Sequence, residues 1–279
     1  MDNVASENPE IAESLAVGGL RTNVHLAGNG PPVVLIHGSG PGVSAWANWR
    51  TVIPALSANR RVIAPDMVGF GFTDRPVGTK YVMATWQDQL AGLLDALRLD
   101  RVDLVGNSFG GALSLAFTIK HPDRVRRLVL MGAAGVEFQL TPGLDAVWGY
   151  EPSVANMRRI MDYFAYDRSL VNDNLAALRY KASIQPGFQE AFSVMFPAPR
   201  QRWVAALASP EEKIRGILHQ TLLIHGRDDR VVPLETSVRL NQLIGPSQLH
   251  VFGQCGHWVQ IEHADRFVRL VSAFLREGD

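Results

Sequence analysis

The reactive candidate in this 279-residue chain is a serine between two glycines, Gly106-Asn107-Ser108-Phe109-Gly110. It sits where an apolar run from Val102 gives way to a helical pattern, Ala112 to His121. A strand entering a helix through Gly-x-Ser-x-Gly turns so tightly that the serine backbone is strained, and the positions two before and two after it must be glycine. The turn lifts the Ser108 hydroxyl above the sheet edge at the positive end of the helix. Short Gly/Ser strings occur by chance, so the strand-turn-helix context carries the motif.

A serine hydroxyl is a poor nucleophile until a base takes its proton and a carboxylate orients that base. Around such a turn the chain order is Ser, acid, His, each at the carboxyl end of a strand. Among eight histidines, His25 and His250 fall inside strand patterns, His121 closes a helix before Pro122, and His37 and His225 begin loops. His257 lies just past the last strand pattern in a loop, Gly253 to Trp258, that can project it over the sheet. For the acid, Asp228 and Asp229 follow the penultimate strand pattern and point in different directions. Asp229, 28 residues before His257, is the choice; Asp228 suits the turn or an arginine partner.

The oxyanion of acyl transfer needs two preorganised backbone N–H groups. Phe109, directly after the nucleophile, offers one. The glycine-rich loop His37 to Gly42 offers the other, at Ser39. The Ser39 hydroxyl itself has two readings, solvation of its own loop or a specific contact. His257, Glu262 and His263 lack metal-ligand spacing, so no metal is expected. Cys255 reads as a buried thiol. Gly69-Phe70-Gly71 fails as a dinucleotide fingerprint because Asp74 stands where the third glycine belongs.

The elements that must position these groups alternate. Leu15 to Val17 and Thr22 to Leu26 read as an antiparallel pair around Gly18-Gly19; Val33 to Ile36, Arg61 to Pro65, Arg127 to Met131, Gln220 to Ile224 and Gln248 to Phe252 read as strands. Helical spacing covers Ser44 to Leu56, Thr85 to Leu97 with Thr85 as cap, Leu234 to Leu243 and Ala264 to Leu275. This alternation predicts an α/β fold, a mostly parallel sheet with helices on both faces. It stops over residues 138–211, an aromatic helical stretch expected to be an inserted cap, leaving 14–137 and 212–279 as the core and 1–13 as a mobile polar arm.

Zero net charge gives no bulk attraction to nucleic acid or an anionic membrane, and 47% hydrophobic residues suffice for a sizeable core. One cysteine excludes a disulfide framework. Residues 1–14 carry four carboxylates and no Lys or Arg, the wrong charge for a secretory leader, and no apolar run reaches membrane-spanning length. A cytoplasmic protein is expected, homo-oligomeric and without a cofactor.

The serine turn, the Gly226-Arg-Asp-Asp229 stretch before Pro233 and the late Gly256-His257 resemble the α/β-hydrolase superfamily. His37 to Gly42 followed by Asn48, Gly106 to Gly111 and Cys255 to Trp258 resemble, more narrowly, the meta-cleavage product hydrolases. The similarity runs along nearly the whole chain, including Gly143 to Tyr150 and Leu178 to Ser183, and is nearest the branch acting on monocyclic ring-fission products, the 2-hydroxymuconic semialdehyde hydrolases. Ser39 departs from the family members acting on biphenyl products, which carry glycine there; it reads as a marker of the monocyclic branch and leaves the backbone donor in place. The resemblance implies C–C hydrolysis of a 2-hydroxy-6-oxohexa-2,4-dienoate. It implies that Arg179 holds the carboxylate end, with Gly38, Gly40, Asn48, Asn107 and Trp258 around the substrate. By the same route Ala134, Trp148, Val204 and Val231 would wall the C6 substituent.

Two other functions fit the same nucleophile: a carboxylesterase, which has no need of Arg179 or Asn48, and a non-catalytic receptor with a silent triad. A dehalogenase or epoxide hydrolase would carry Asp at the turn.

Overall fold

The computed structural model of the chain describes residues 8–277. Eight strands form one sheet: β1 (Glu13–Val17), β2 (Leu20–Ala27), β3 (Pro32–Ile36), β4 (Arg61–Pro65), β5 (Val102–Asn107), β6 (Val125–Met131), β7 (Thr221–Gly226) and β8 (Ser247–Phe252). Their order is β1-β2-β4-β3-β5-β6-β7-β8, antiparallel at β1/β2 and β2/β4 and parallel from there on. Helices cover both faces, so the middle strands must be apolar on both sides. Val34, Ile36 and Leu104 join the core on one face, Val33, Leu35 and Val105 the core on the other.

Before β5 lie α1 (Ala45–Trp49), α2 (Ile53–Leu56) and α3 (Met83–Ala96); after it comes α4 (Phe109–Lys120). The single helix expected over 44–56 is two short ones. Ser44 Oγ caps the first by accepting from the Ala47 amide at 3.1 Å, while Pro54 has no N–H to continue the ladder from Arg50. Thr85 is not the cap of α3. It lies inside the first turn, its hydroxyl donating to the Lys80 carbonyl at 2.7 Å. His225 does not begin a loop; it is the fifth residue of β7 and fully buried.

Between β6 and β7 the chain makes α5 (Pro142–Trp148), α6 (Val154–Phe164), α7 (Asp173–Ser183), α8 (Phe188–Met195), α9 (Gln201–Leu207) and α10 (Glu211–Arg215). α11 (Leu234–Leu243), α12 (Val259–Glu262) and α13 (Ala264–Arg276) complete the fold. α13 buries Phe267, Val271, Phe274 and Leu275, a single stripe at helical spacing, against the Trp49 face of the sheet.

The part of the expected arm at 1–7 lies outside the described residues. The rest differs from a loose arm. The Ala12 amide donates to Asn23 Oδ1 at 2.7 Å, Asn23 Nδ2 donates to the Glu10 carbonyl at 2.9 Å, and β1 already begins at Glu13. No helix among the described residues is long and apolar enough to cross a membrane.

Candidate active site

Ser108 joins β5 to α4 with φ +54° and ψ −114°, a conformation L-residues avoid. The turn leaves no room for side chains around it. A Cβ on Gly106 would meet the Gly110 carbonyl oxygen at 2.3 Å, and one on Gly110 would meet the Ile36 oxygen at 2.3 Å. The Ser108 amide donates to the Met131 carbonyl at 2.9 Å, which ties the turn to the end of β6. Phe109 heads α4, so its amide has no acceptor within the helix.

Asp229 follows β7 and is fully buried. One carboxylate oxygen, Oδ1, accepts the Val231 and Val232 amides at 2.8 and 3.0 Å; the other, Oδ2, lies 2.6 Å from His257 Nδ1. Burial by itself would raise this carboxyl, but the facing His257 and the hydrogen bonds from His225 and His257 outweigh it and hold the group below the ordinary carboxylate range. Asp228 turns away, near the Cys255 amide at 3.4 Å and Arg227 at 3.6 Å. Burial pushes the Cys255 thiol up, so it stays protonated.

The His257 loop is clamped from the helical insert. Its amide donates to the Phe164 carbonyl at 2.7 Å, and the Phe164 ring stacks on Trp258 with centroids 5.0 Å apart. Glu262 completes the clamp: its Oε1 accepts the Tyr166 and Asp167 amides at 2.9 and 2.8 Å, and its Oε2 accepts the Gly256 amide at 2.7 Å. In the sequence Glu262 drew notice only as a failed metal ligand.

Ser108 and His257 line one cavity of about 230 Å³. Gly38, Ser39, Gly40, Asn48, Asn107, Arg179 and Trp258 line it too, so the structure gathers all the expected substrate contacts around the nucleophile. Asn48 Oδ1 accepts the Gly38 amide at 3.2 Å, and its buried Nδ2 has no partner, leaving a donor for a ligand. Arg179, on α7, pairs with Glu10 at 3.2 Å and donates to the Gly42 carbonyl. Burial lowers its pKa and Glu10 opposes that; a guanidinium remains charged regardless.

Ala134, Trp148, Val204 and Val231 do not border this cavity. All four are buried in the core shared by the insert and the sheet, and the Trp148 indole N–H donates to Ser39 Oγ at 3.1 Å. That bond gives the Ser39 hydroxyl a specific partner. The apolar wall comes from Met157, Ile160, Met161 and Phe164 of α6 with Leu170 and Leu175. Met157, Ile160, Met161 and Phe164 recur at helical spacing along α6, but nothing local tells which surface that stripe meets. Arg50 is a second guanidinium on the cavity, and among the described residues no carboxylate lines it.

A buried serine, a histidine held by an ionised aspartate, and donors on a small cavity with two cations can perform acyl transfer on a small anion. The family model for the alpha/beta hydrolase fold matches residues 31–264. The chain is 72% identical over 272 residues to a 2-hydroxy-6-oxo-2,4-heptadienoate hydrolase of Pseudomonas putida F1, covering 98% of this chain and 99% of that one. It is 61% identical over 277 residues to a 2-hydroxymuconate semialdehyde hydrolase of Pseudomonas sp. CF600, covering 99% and 98%. A solved meta-cleavage product hydrolase from Pseudomonas fluorescens IP01, a serine-to-alanine variant complexed with acetates, superimposes with a TM-score of 0.97 at 60% identity, over 98% of this chain and all of that one.

Proposed function

The chain belongs to the α/β-hydrolase superfamily and, within it, to the meta-cleavage product hydrolases, and we propose that it cleaves the C5–C6 bond of 2-hydroxy-6-oxohexa-2,4-dienoates bearing hydrogen or methyl at C6. The observation that carries this reading is a cavity holding Ser108 and His257 together with Arg179 and Arg50 and, among the described residues, no lining carboxylate. A neutral ester needs no such charge; a dienoate does. A cavity of about 230 Å³ falls below the roughly 300–1,000 Å³ of sites for drug-sized ligands, which suits a short acyclic acid.

The carbanion leaving group sets the difficulty. Transfer of the 2-hydroxyl proton to C5 makes a 2,6-dioxo acid, so that electrons released from C5–C6 can flow through C3=C4 to the C2 oxygen. Ser108 attacks the C6 carbonyl as His257 takes its proton, and the oxyanion forms against the Phe109 and Ser39 amides. Collapse breaks C5–C6, the dienolate takes the proton held by His257 onto its C2 oxygen and leaves as 2-hydroxypenta-2,4-dienoate, and an acyl-serine remains beside the neutral His257. Water, deprotonated by His257, then yields formate or acetate. Arg179 holds the carboxylate and C2 oxygen bidentately where the dienolate charge develops, with Asn48, Asn107 and Trp258 as neutral donors. Small alkyl C6 groups meet the α6 wall; Trp148 acts behind it, through Ser39.

The test follows decay of the yellow dienoate chromophore. Arg179→Ala is expected to lower kcat/KM at least about 100-fold, the loss of a charge-assisted bidentate contact, while turnover of p-nitrophenyl acetate stays near the parent value. Equal loss on both substrates favours an esterase. Ser108→Ala should abolish both. With C6 hydrogen, methyl and phenyl analogues, the small groups should be preferred, and a strong phenyl preference rejects the monocyclic assignment.

A further inference from the structure

His225 takes no part in the cavity, yet its ring reaches the acid of the site. Nε2 lies 3.0 Å from the Val232 carbonyl oxygen and 3.3 Å from Asp229 Oδ2, the oxygen that also faces His257. Nδ1 lies 2.7 Å from Ser237 Oγ on α11. A carbonyl and an ionised carboxylate only accept, so Nε2 carries a proton, and Ser237 Oγ holds the ring from its Nδ1 side. Both His225 and Ser237 are fully buried. The chain places Asp229 four residues after His225, at the exit of β7.

We propose that His225 is a positioning residue for the reaction: its ring, fixed by Ser237, presents an N–H to Asp229 Oδ2, orients that oxygen toward His257 and withdraws part of its charge. This rests on the reading of Ser108, Asp229 and His257 as the triad. With the two amides on Oδ1 and the two rings on Oδ2, the carboxylate has no free direction in which to rotate. Among the described residues, the titratable groups around Asp229 are His225 near the end of β7 and His257 and the Cys255 thiol on the loop after β8. Asp228 and Glu262 reach the same loop but spend their oxygens on the Cys255 and Gly256 amides.

Removing the His225 N–H concentrates charge on the face of Asp229 that meets His257, so His257 holds its proton more tightly. The experiment records kcat/KM against pH, with the dienoate and with p-nitrophenyl acetate, for His225→Leu, His225→Gln and Ser237→Ala. In His225→Leu the acid limb should move up by about half a pH unit or more, equally on both substrates, with KM within about twofold of the parent. Gln, whose amide N–H can occupy the place of Nε2–H, should bring the limb back. Ser237→Ala, which frees the ring to change tautomer, should shift it in the same direction by less, and reports on the proposal if the Leu variant does not fold. A limb that stays in place in the Leu and Ser237→Ala variants, or moves equally in Leu and Gln, overturns the proposal. Failure of the triad reading itself shows differently, as activity surviving in Ser108→Ala.

Discussion

Asp103 stands second in β5, a strand otherwise apolar before the nucleophile turn, and is fully buried. It accepts two hydrogen bonds from Arg126, at 2.9 and 2.6 Å, and has Arg60 at 3.6 Å. Breaking such a buried pair leaves charge without compensation, which costs about 3–5 kcal/mol. Asp103→Ala is therefore expected to lose that much stability in urea denaturation, far more than a surface exchange, while the hydrolysis that survives at low temperature keeps its KM. In the sequence this aspartate passed as a blemish in an apolar run. Ser108, Asp229 and His257 were legible because each follows a strand pattern in a fixed order and two are flanked by glycines. His225 was not: its spacing suggested a loop, and only the exit of β7 beside the Asp229 turn brings its ring to the carboxylate. Arg50 was hidden for a similar reason, since an arginine on a short helix reads as solvated until the cavity is seen to form against it.

At the scale of elements, the point of consequence is where α6 ends on the His257 loop. Phe164 supplies a carbonyl to the His257 amide and a ring to Trp258, and a Cβ on Gly256 would come within 2.4 Å of the Phe164 oxygen. Glu262 binds both sides of that seam. Glu262→Ala leaves three amides without their acceptor, at about 1–3 kcal/mol for each that stays buried. The expected result is a reduced kcat on dienoate and ester alike, with faster hydrogen exchange at Tyr166, Asp167 and Gly256. Unchanged exchange at those amides would show that the clamp does not depend on this carboxylate. Strands were the legible elements, since central strands must be apolar on both faces and run straight into their glycines. Helix ends were less so: Pro54 divides one expected helix, and Thr85 serves the Lys80 carbonyl instead of a free helix amide. The insert read only as an aromatic helical stretch, and which body the Met157, Ile160, Met161 and Phe164 face of α6 meets is a long-range matter that periodicity does not encode.

On the scale of the whole molecule, the site is assembled from parts far apart in the chain, and the cation at its centre shows what that implies. The Arg179 guanidinium is mostly buried and has one carboxylate partner among the described residues, Glu10, whose other oxygen takes the Ser44 hydroxyl at 2.5 Å. The fold thus carries a resident anion for the same group that, in the proposed function, holds the dienoate. Stability and affinity draw on one charge, and by linkage what strengthens the first weakens the second. Glu10→Gln should cost the unliganded protein about 3 kcal/mol, the lower end for removing one partner of a buried pair. It should also bind 2-hydroxypenta-2,4-dienoate more tightly than the parent does, so that saturating product raises the variant's Tm by more degrees than the parent's. An equal or smaller rise would mean that Glu10 only holds the arginine in place. The segment around Glu10 acts, on this account, as a counterweight: the protein gives up some grip on its substrate to keep an empty site folded.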